Sequence, residues 1–168
     1  MKLRIWGLKW MAGLGVVLLL PFLPGCQGEE LPEGEVFLSQ IPDNRDYSSL
    51  PLVGTKWKLI GFVDVNKNRI RLAEDSRERS FTLTFKEDGV LEGYTSSNIV
   101  WREYFLLPPP GENKIDLSLF APSTYAGETP DGYLYTELMK KVCLYQISPK
   151  GLALFHDPRQ YLLFKPVD

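Results

Sequence analysis

The chain has 168 residues, 44% hydrophobic and 24% charged, with a formal net charge of -2. That composition excludes the disordered class, and the length suits one domain with a single real core. One histidine, two cysteines and no basic run argue against a zinc ligand set and against the basic face of a nucleic-acid binder.

Residues 1–25 read as a secretory signal. Lys2, Arg4 and Lys9 supply the positive start, and residues 13–22 form an apolar run too short for a comfortable membrane span. Removing those cations makes the mature chain more acidic. The run ends at Leu23-Pro24-Gly25-Cys26, which resembles the bacterial lipobox, with Pro24 a departure at its second position. The resemblance implies cleavage before Cys26, a diacylglycerol on its thiol and palmitate-like acyl chains on the same residue. Several chains on one residue anchor a protein stably to the outer membrane. Gln27-Gly28-Glu29-Glu30 resembles the surface-export signal of Bacteroidetes lipoproteins, leaving the periplasmic and surface faces as alternatives. If the leader is retained, residues 5–22 are expected to form a helix.

Residues 26–50 read as an acidic, proline-containing tether punctuated by Pro32 and Pro42. Val36, Phe37, Leu38 and Ile41 interrupt its polarity, so part of it can lie along the domain that follows at 51–168. Residues 55–63 alternate, with Trp57, Leu59 and Gly61 on one face and Lys56, Lys58 and Ile60 on the other. Asp64 to Asn68 is turn chemistry, and residues 69–72 are a short return strand. Residues 74–79 are a charged loop. Phe81, Leu83 and Phe85 alternate with Thr82, Thr84 and Lys86, then Glu87-Asp88-Gly89 turns the chain into a strand at 90–95. A strand over 99–107 carries Trp101 and Tyr104, and Pro108-Pro109-Pro110-Gly111 ends it. Residues 114–120 alternate again.

Residues 131–142 are the one good helix after the leader, with Leu134, Leu138 and Val142 as its apolar face and Tyr135 and Met139 beside it. Thr129 or Asp131 can cap it. Strands at 143–147, 152–155 and 161–164 follow. The order predicts an α+β fold, a curled antiparallel sheet or partial barrel of about eight strands packed on one helix.

This order resembles the META domain family, also called HslJ-like. Leu52-Val53-Gly54-Thr55-Lys56-Trp57-Lys58-Leu59 is similar to its opening strand, and Phe81-Thr82-Leu83-Thr84-Phe85 with Gly89 to its second. The central motif departs from the family: in Gly93-Tyr94-Thr95-Ser96-Ser97-Asn98, Ser97 stands where the family has cysteine, and Arg102 stands for a glycine before Tyr104. The late helix, Tyr145 and Tyr161-Leu162-Leu163-Phe164 also fit. The resemblance spans about residues 50–167 and implies a non-enzymatic role in envelope protein interaction or stress tolerance. A lipocalin-like small-ligand carrier is the rival reading. The spacing Gly54-x-x-Trp57 and the helix before the last three strands favour the META-like one.

Few residues of the chain carry site chemistry. His156, beside Asp157-Pro158, is expected in an exposed turn; a hydrolase using it with Ser96 or Ser97 lacks a nucleophile elbow. Lipid on Cys26 leaves Cys143 and His156 as the soft ligands, and Cys143 is expected to be a buried, inert thiol. Asp64, Asn66 and Asn68 alternate as calcium ligands would, without the glycine and terminal glutamate of an EF-hand. Glu128, Asp131 and Glu137 are read as capping and surface carboxylates. No cofactor or metal is expected. Tyr94, Trp101, Tyr104, Tyr125, Tyr133 and Tyr135 exceed what a small core requires, and the first five are the candidate interaction surface for an envelope protein partner. Residues 121–132, rich in Gly and Pro, are the expected mobile loop. The oligomeric state is left open.

Overall fold

The computed structural model describes residues 31–74, 77–109 and 111–167. The leader, the helix expected at 5–22, Cys26 and the acidic pair Glu29-Glu30 lie outside the described residues. So do Asp75 and Ser76 of the charged loop.

Alternation becomes a strand only where neighbours take up the backbone bonds, and the Trp57 strand has neighbours on both edges. Glu35–Phe37 (β1), Lys56–Asp64 (β2), Arg69–Leu72 (β3), Thr82–Phe85 (β4), Val90–Tyr94 (β5) and Ile99–Glu103 (β6) are followed by the short pair Phe105–Leu106 (β7) and Ile115–Asp116 (β8). Pro130–Met139 (α1) precedes Leu144–Ser148 (β9), Gly151–Asp157 (β10) and Gln160–Pro166 (β11). Nine strands form one sheet in the order β6-β5-β4-β2-β11-β10-β9, with β3 on β2 and β1 on β3; β7 and β8 pair separately. Every pairing between named strands is antiparallel. The fold is α+β and sheet-dominated, as expected. The sheet is not a closed barrel, and it has one strand more than the eight expected.

The extra strand comes from the expected tether. β1 pairs with β3, Val36 facing Ile70, and the following residues make two 3₁₀ turns, Leu38–Gln40 and Arg45–Ser49. In its described part the stretch expected as a tether lies along the domain: from Leu31 the chain belongs to the folded unit. Three of the four apolar residues that broke its polarity explain this. Val36, Leu38 and Ile41 pack with Ile60 and Tyr161 around buried Val63, Ile70 and Leu163. This second cluster is separate from the main core.

A bulge divides the two clusters. Opposite β11, Leu163 pairs with Gly61 and Phe164 with Leu59, so Ile60 has no partner there. An inserted residue reverses which side chains face inward. Trp57 and Leu59 face the main core, whereas Ile60 and Val63 join the second cluster. Gly61 lies between; a Cβ there would strike the Arg71 carbonyl.

α1 covers the main core. Thr129 caps it, its Oγ1 accepting from the Gly132 N–H at 3.1 Å, and Pro130 takes the first turn, where a missing N–H costs nothing. The buried stripe is Gly132, Tyr135, Thr136 and Met139, continued by Val142, not the expected Leu134 and Leu138. Leu134 is 39% exposed, whereas Leu138 is partly buried against the same core, as expected. Tyr135 decides the rotation, because its ring meets Phe81 and Phe120 edge-on at 5.5 Å each and Phe164 at 6.3 Å.

Two expected strands are shorter than their sequence pattern. The 99–107 strand breaks at Tyr104, whose ring turns inward onto Phe85 at 5.0 Å while its hydroxyl donates to the Lys86 carbonyl at 2.8 Å. Of residues 114–120, β8 holds two. Asp116 accepts from the Ser118 N–H and Phe120 N–H donates to the Leu117 carbonyl, so the chain turns. Phe120 is buried and Leu119 exposed.

Candidate functional site

β6 ends the sheet, so its outer backbone row lacks a strand partner. The loop after β8 supplies one. Ile99 N–H donates to Thr124 Oγ1 and Trp101 N–H to Ser123 Oγ, both at 3.1 Å, while Ser123 N–H donates to the Ile99 carbonyl at 2.7 Å. Arg102 reaches over with Nη1 to Ser123 Oγ at 2.8 Å and Nη2 to the Pro122 carbonyl at 2.9 Å.

The same loop is fastened at its far end by a polar cluster. Asn98 is buried; its Oδ1 accepts from Ala126 N–H and Thr124 Oγ1, and its Nδ2 donates to the Ala126 carbonyl and to Glu128. The Glu128 carboxylate also accepts from Thr95 Oγ1 and Ser96 Oγ. Burial alone would raise the Glu128 pKa, but hydrogen bonds from Ser96, Thr95, Asn98 and the Ser97 backbone outweigh it and hold the carboxyl below its ordinary range. Gly132 packs so closely here that a Cβ would collide with Ser96 Oγ and Glu128. Next to it, Asp131 pairs with Arg71 Nη1 at 2.8 Å and accepts from the Glu74 N–H at 2.9 Å, tying α1 to β3.

This scaffold presents apolar side chains outward. Trp101 is 65% exposed and Leu119 52%, and both line a 330 Å³ groove with Val90, Arg102 and Glu103. Ile99 is exposed on the same strand, and Phe105, Leu106 and Leu107 follow it in sequence, also exposed. Leu106 and Leu107 border a second cavity of 390 Å³ with Pro108, Lys114 and Tyr145. Exposed apolar side chains in this density mark interaction surfaces in soluble domains.

The candidate aromatics divide. Trp101, Tyr125 and Tyr133 are exposed, Tyr125 fully so at the loop tip. Tyr94 is half-buried with the Arg79 guanidinium 5.4 Å from its ring centre. Tyr104 is a core residue, which corrects its assignment to the surface; Tyr135 is core as well. The loop expected to be mobile is the one that Asn98 and Glu128 fasten.

Other expectations change too. His156 lies on β10, half-buried, and not in an exposed turn. Burial pushes its pKa below the ordinary value, with Asp157 raising it and Lys141 lowering it. Ser96 donates to Glu128, and among the described residues no hydrogen bond joins His156 to Ser96 or Ser97. Cys143 is exposed, not buried. Asp64 accepts from the Asn66 N–H at 3.0 Å, Asn68 takes the left-handed conformation at φ 51°, and Asn66 Oδ1 receives Arg159 at 2.7 Å. Those oxygens thus serve a turn. Among the described residues no group of three or more His, Cys, Asp or Glu is placed to hold a metal ion. Glu137 pairs with Lys140 at 2.7 Å. Among the described residues no helix is long and apolar enough to cross a membrane.

The reading of the sequence missed Asn98 and Arg71 as organisers, and took Glu128 for a surface carboxylate. The signal was there in Thr95-Ser96-Ser97-Asn98, four short polar residues in place of a strand end, which favour local side-chain bonding over a ladder.

No family model matches the chain, and no curated protein does. Among solved structures, one described as a DUF4847 family protein from Bacteroides vulgatus is similar at 14% identity and a TM-score of 0.49, covering 68% of this chain and 93% of that one.

Proposed function

We propose that this chain is a lipid-anchored envelope protein that binds another protein through the exposed apolar side chains of β6 and the β7–β8 hairpin. The observation that carries this reading is Trp101 and Leu119, apolar and exposed, one on β6 and one on the loop that is hydrogen-bonded along its edge. Such preorganisation lowers the entropy that a partner must overcome on binding. Lipid on Cys26 supplies the anchor and the outer membrane the site, on either its periplasmic or its surface face. Residues 27–30 would then be all that separates the lipid from the folded unit. The role is non-enzymatic.

The META-like reading rests on the antiparallel order with one helix before the last three strands. Its finer form, a partial barrel, draws support from the β7–β8 hairpin, where Ile115 N–H donates to the Cys143 carbonyl at 3.2 Å and Tyr145 N–H to the Asn113 carbonyl at 2.9 Å. The carrier reading has less support, since Tyr135, Met139 and Val142 fill the space on the inner face of the sheet. The hydrolase reading has the least, for want, among the described residues, of a serine hydrogen-bonded to His156.

The test places a photo-crosslinking residue at Trp101, at Leu119 and, as control, at Glu137, in the anchored protein within its own envelope. One discrete adduct is expected from the first two positions, lost when the other of the pair is changed to alanine. Equal adducts from Glu137, or none from Trp101 and Leu119, would sink the reading. Mass analysis of the mature N-terminus tests lipid on Cys26 separately; an unmodified cysteine removes the anchor without touching the interaction surface.

A further inference from the structure

On the opposite side of the molecule's sheet from α1, a cavity of about 590 Å³ opens where residues 41–47 cross β2 and β11. Its walls are Ile41, Pro42, Tyr47 and Ile60, and its charged groups are Arg45, Lys150, Lys165 and Asp43. The volume falls within the range of small-molecule sites. Two features of the fold create it. Alternation along β2 puts Ile60 on the face opposite Leu59, and the strap of residues 38–49 bridges over that point without filling it.

The charges are unbalanced. Among the described residues Asp43 is the one carboxylate lining the cavity, and it already pairs with Lys150 at 2.8 Å. Lys150 also donates to the Ile41 carbonyl at 2.7 Å, so it fixes the strap. Lys165 lies directly opposite Lys58 in the β11–β2 register. Like charges placed so repel. Lys58 turns to the 77–80 loop, donating to the carbonyls of Arg77, Glu78 and Ser80. Lys165 is left at the cavity, with Arg45 across it on the strap. An apolar floor with cations at its rim matches a ligand of one chemistry.

We infer that this cavity binds an anionic amphiphile, its acyl or other apolar body against Ile41, Tyr47 and Ile60 and its anionic head between Lys165 and Arg45. A free medium-chain carboxylate and an anionic lipid share that chemistry. The site is independent of the protein-binding surface proposed above.

The experiment uses the full chain in phosphatidylcholine nanodiscs, with a diazirine-bearing decanoate as probe and the matching decanol as neutral control. Labelled residues are mapped by mass spectrometry. Decanoate should label the 41–47 or Ile60 peptides, unlabelled decanoate should compete, and decanol should not label there. Lys165→Glu with Arg45→Glu should weaken labelling about tenfold, the scale of losing a hydrogen bond to a charged group. Both residues are exposed, so the fold should survive, checked by unchanged circular dichroism. Ile60→Trp, filling the cavity from the sheet side, should also suppress labelling. Competition by phosphatidylglycerol in the disc identifies a membrane lipid as occupant; competition by decanoate alone identifies a free amphiphile. Equal labelling by decanol, labelling elsewhere, or labelling indifferent to charge reversal overturns the inference.

Discussion

Asn98 and Glu128, 30 residues apart in sequence, meet through a direct amide-to-carboxylate hydrogen bond, and between them they fix the loop that carries Tyr125. Asn98 holds Thr124 and Ala126, and Glu128 holds Thr95 and Ser96. The pair converts a glycine- and proline-rich segment into a rigid support for the β6 edge.

Glu128→Gln should therefore destabilise the fold by about 1 kcal/mol, since an amide offers donors where the carboxylate accepted them. The pH dependence has a definite sign. The Glu128 pKa is depressed in the fold, so its contribution is full above the ordinary value of 4.5 and is lost as pH falls through the folded value. His156 acts in the same direction at higher pH. Its folded pKa lies below the ordinary 6.5, so the fold is disfavoured progressively as pH falls below that value. Thermal unfolding from pH 8 to 3 should show two acid-sensitive windows. Glu128→Gln should flatten the lower and His156→Leu the upper.

Tyr135 is wholly buried, and among the described residues its hydroxyl has no hydrogen-bond partner, while its ring packs against three aromatic neighbours. Tyr135→Phe should leave stability unchanged or raise it, because an unsatisfied hydroxyl is removed at no cost in packing. Tyr135→Ala should cost about 3–5 kcal/mol. Denaturant unfolding of both variants checks this; a destabilised phenylalanine variant would mean the hydroxyl has a partner.

Arg71 and Asp131 join β3 to the start of α1. Asp131→Ala removes both that pair and the acceptor for the Glu74 N–H, and should cost about 1–2 kcal/mol. Arg71 is partly exposed and also lies 4.3 Å from the centre of the Phe62 ring, so it keeps a favourable contact when the acid is gone. Faster amide hydrogen exchange at Glu74 and in the first turn of α1, with β9 unchanged, is the expected signature.

Cys143 is exposed, its thiol 3.8 Å from the Phe155 carbonyl. It should react with a maleimide in the native protein at a rate close to that after unfolding. A large protection factor would mean that the end of α1 covers it.

Much of this fold can be read from the residues, and the failures share a cause. The strands of Trp57 and Leu83 follow from alternation because one of their faces is solidly buried. β1 was hidden because all three of its residues are only half-buried and its pairing partner lies in a distant segment. In α1 the stripes Leu134–Leu138 and Tyr135–Met139 are adjacent and similarly spaced; three aromatic rings elsewhere in the chain select the second. The exposed face of β6 was half legible: Trp101 was named, yet Tyr104 was placed with it, since nothing local announces that the chain bends between them. The loop's fastening depends on hydrogen bonds across about 30 residues, which no local pattern carries.

The hydroxyls of Ser123 and Thr124 have a further consequence. A terminal strand with open amides and carbonyls can recruit any extended chain by strand addition, a copy of itself included. Here Ile99 and Trp101 have those groups occupied from within. Recognition at this edge must then pass through the shapes of side chains, not through the generic backbone ladder, and so can be selective. The same plug keeps neighbouring copies of the chain from adding at this edge into a continuous sheet.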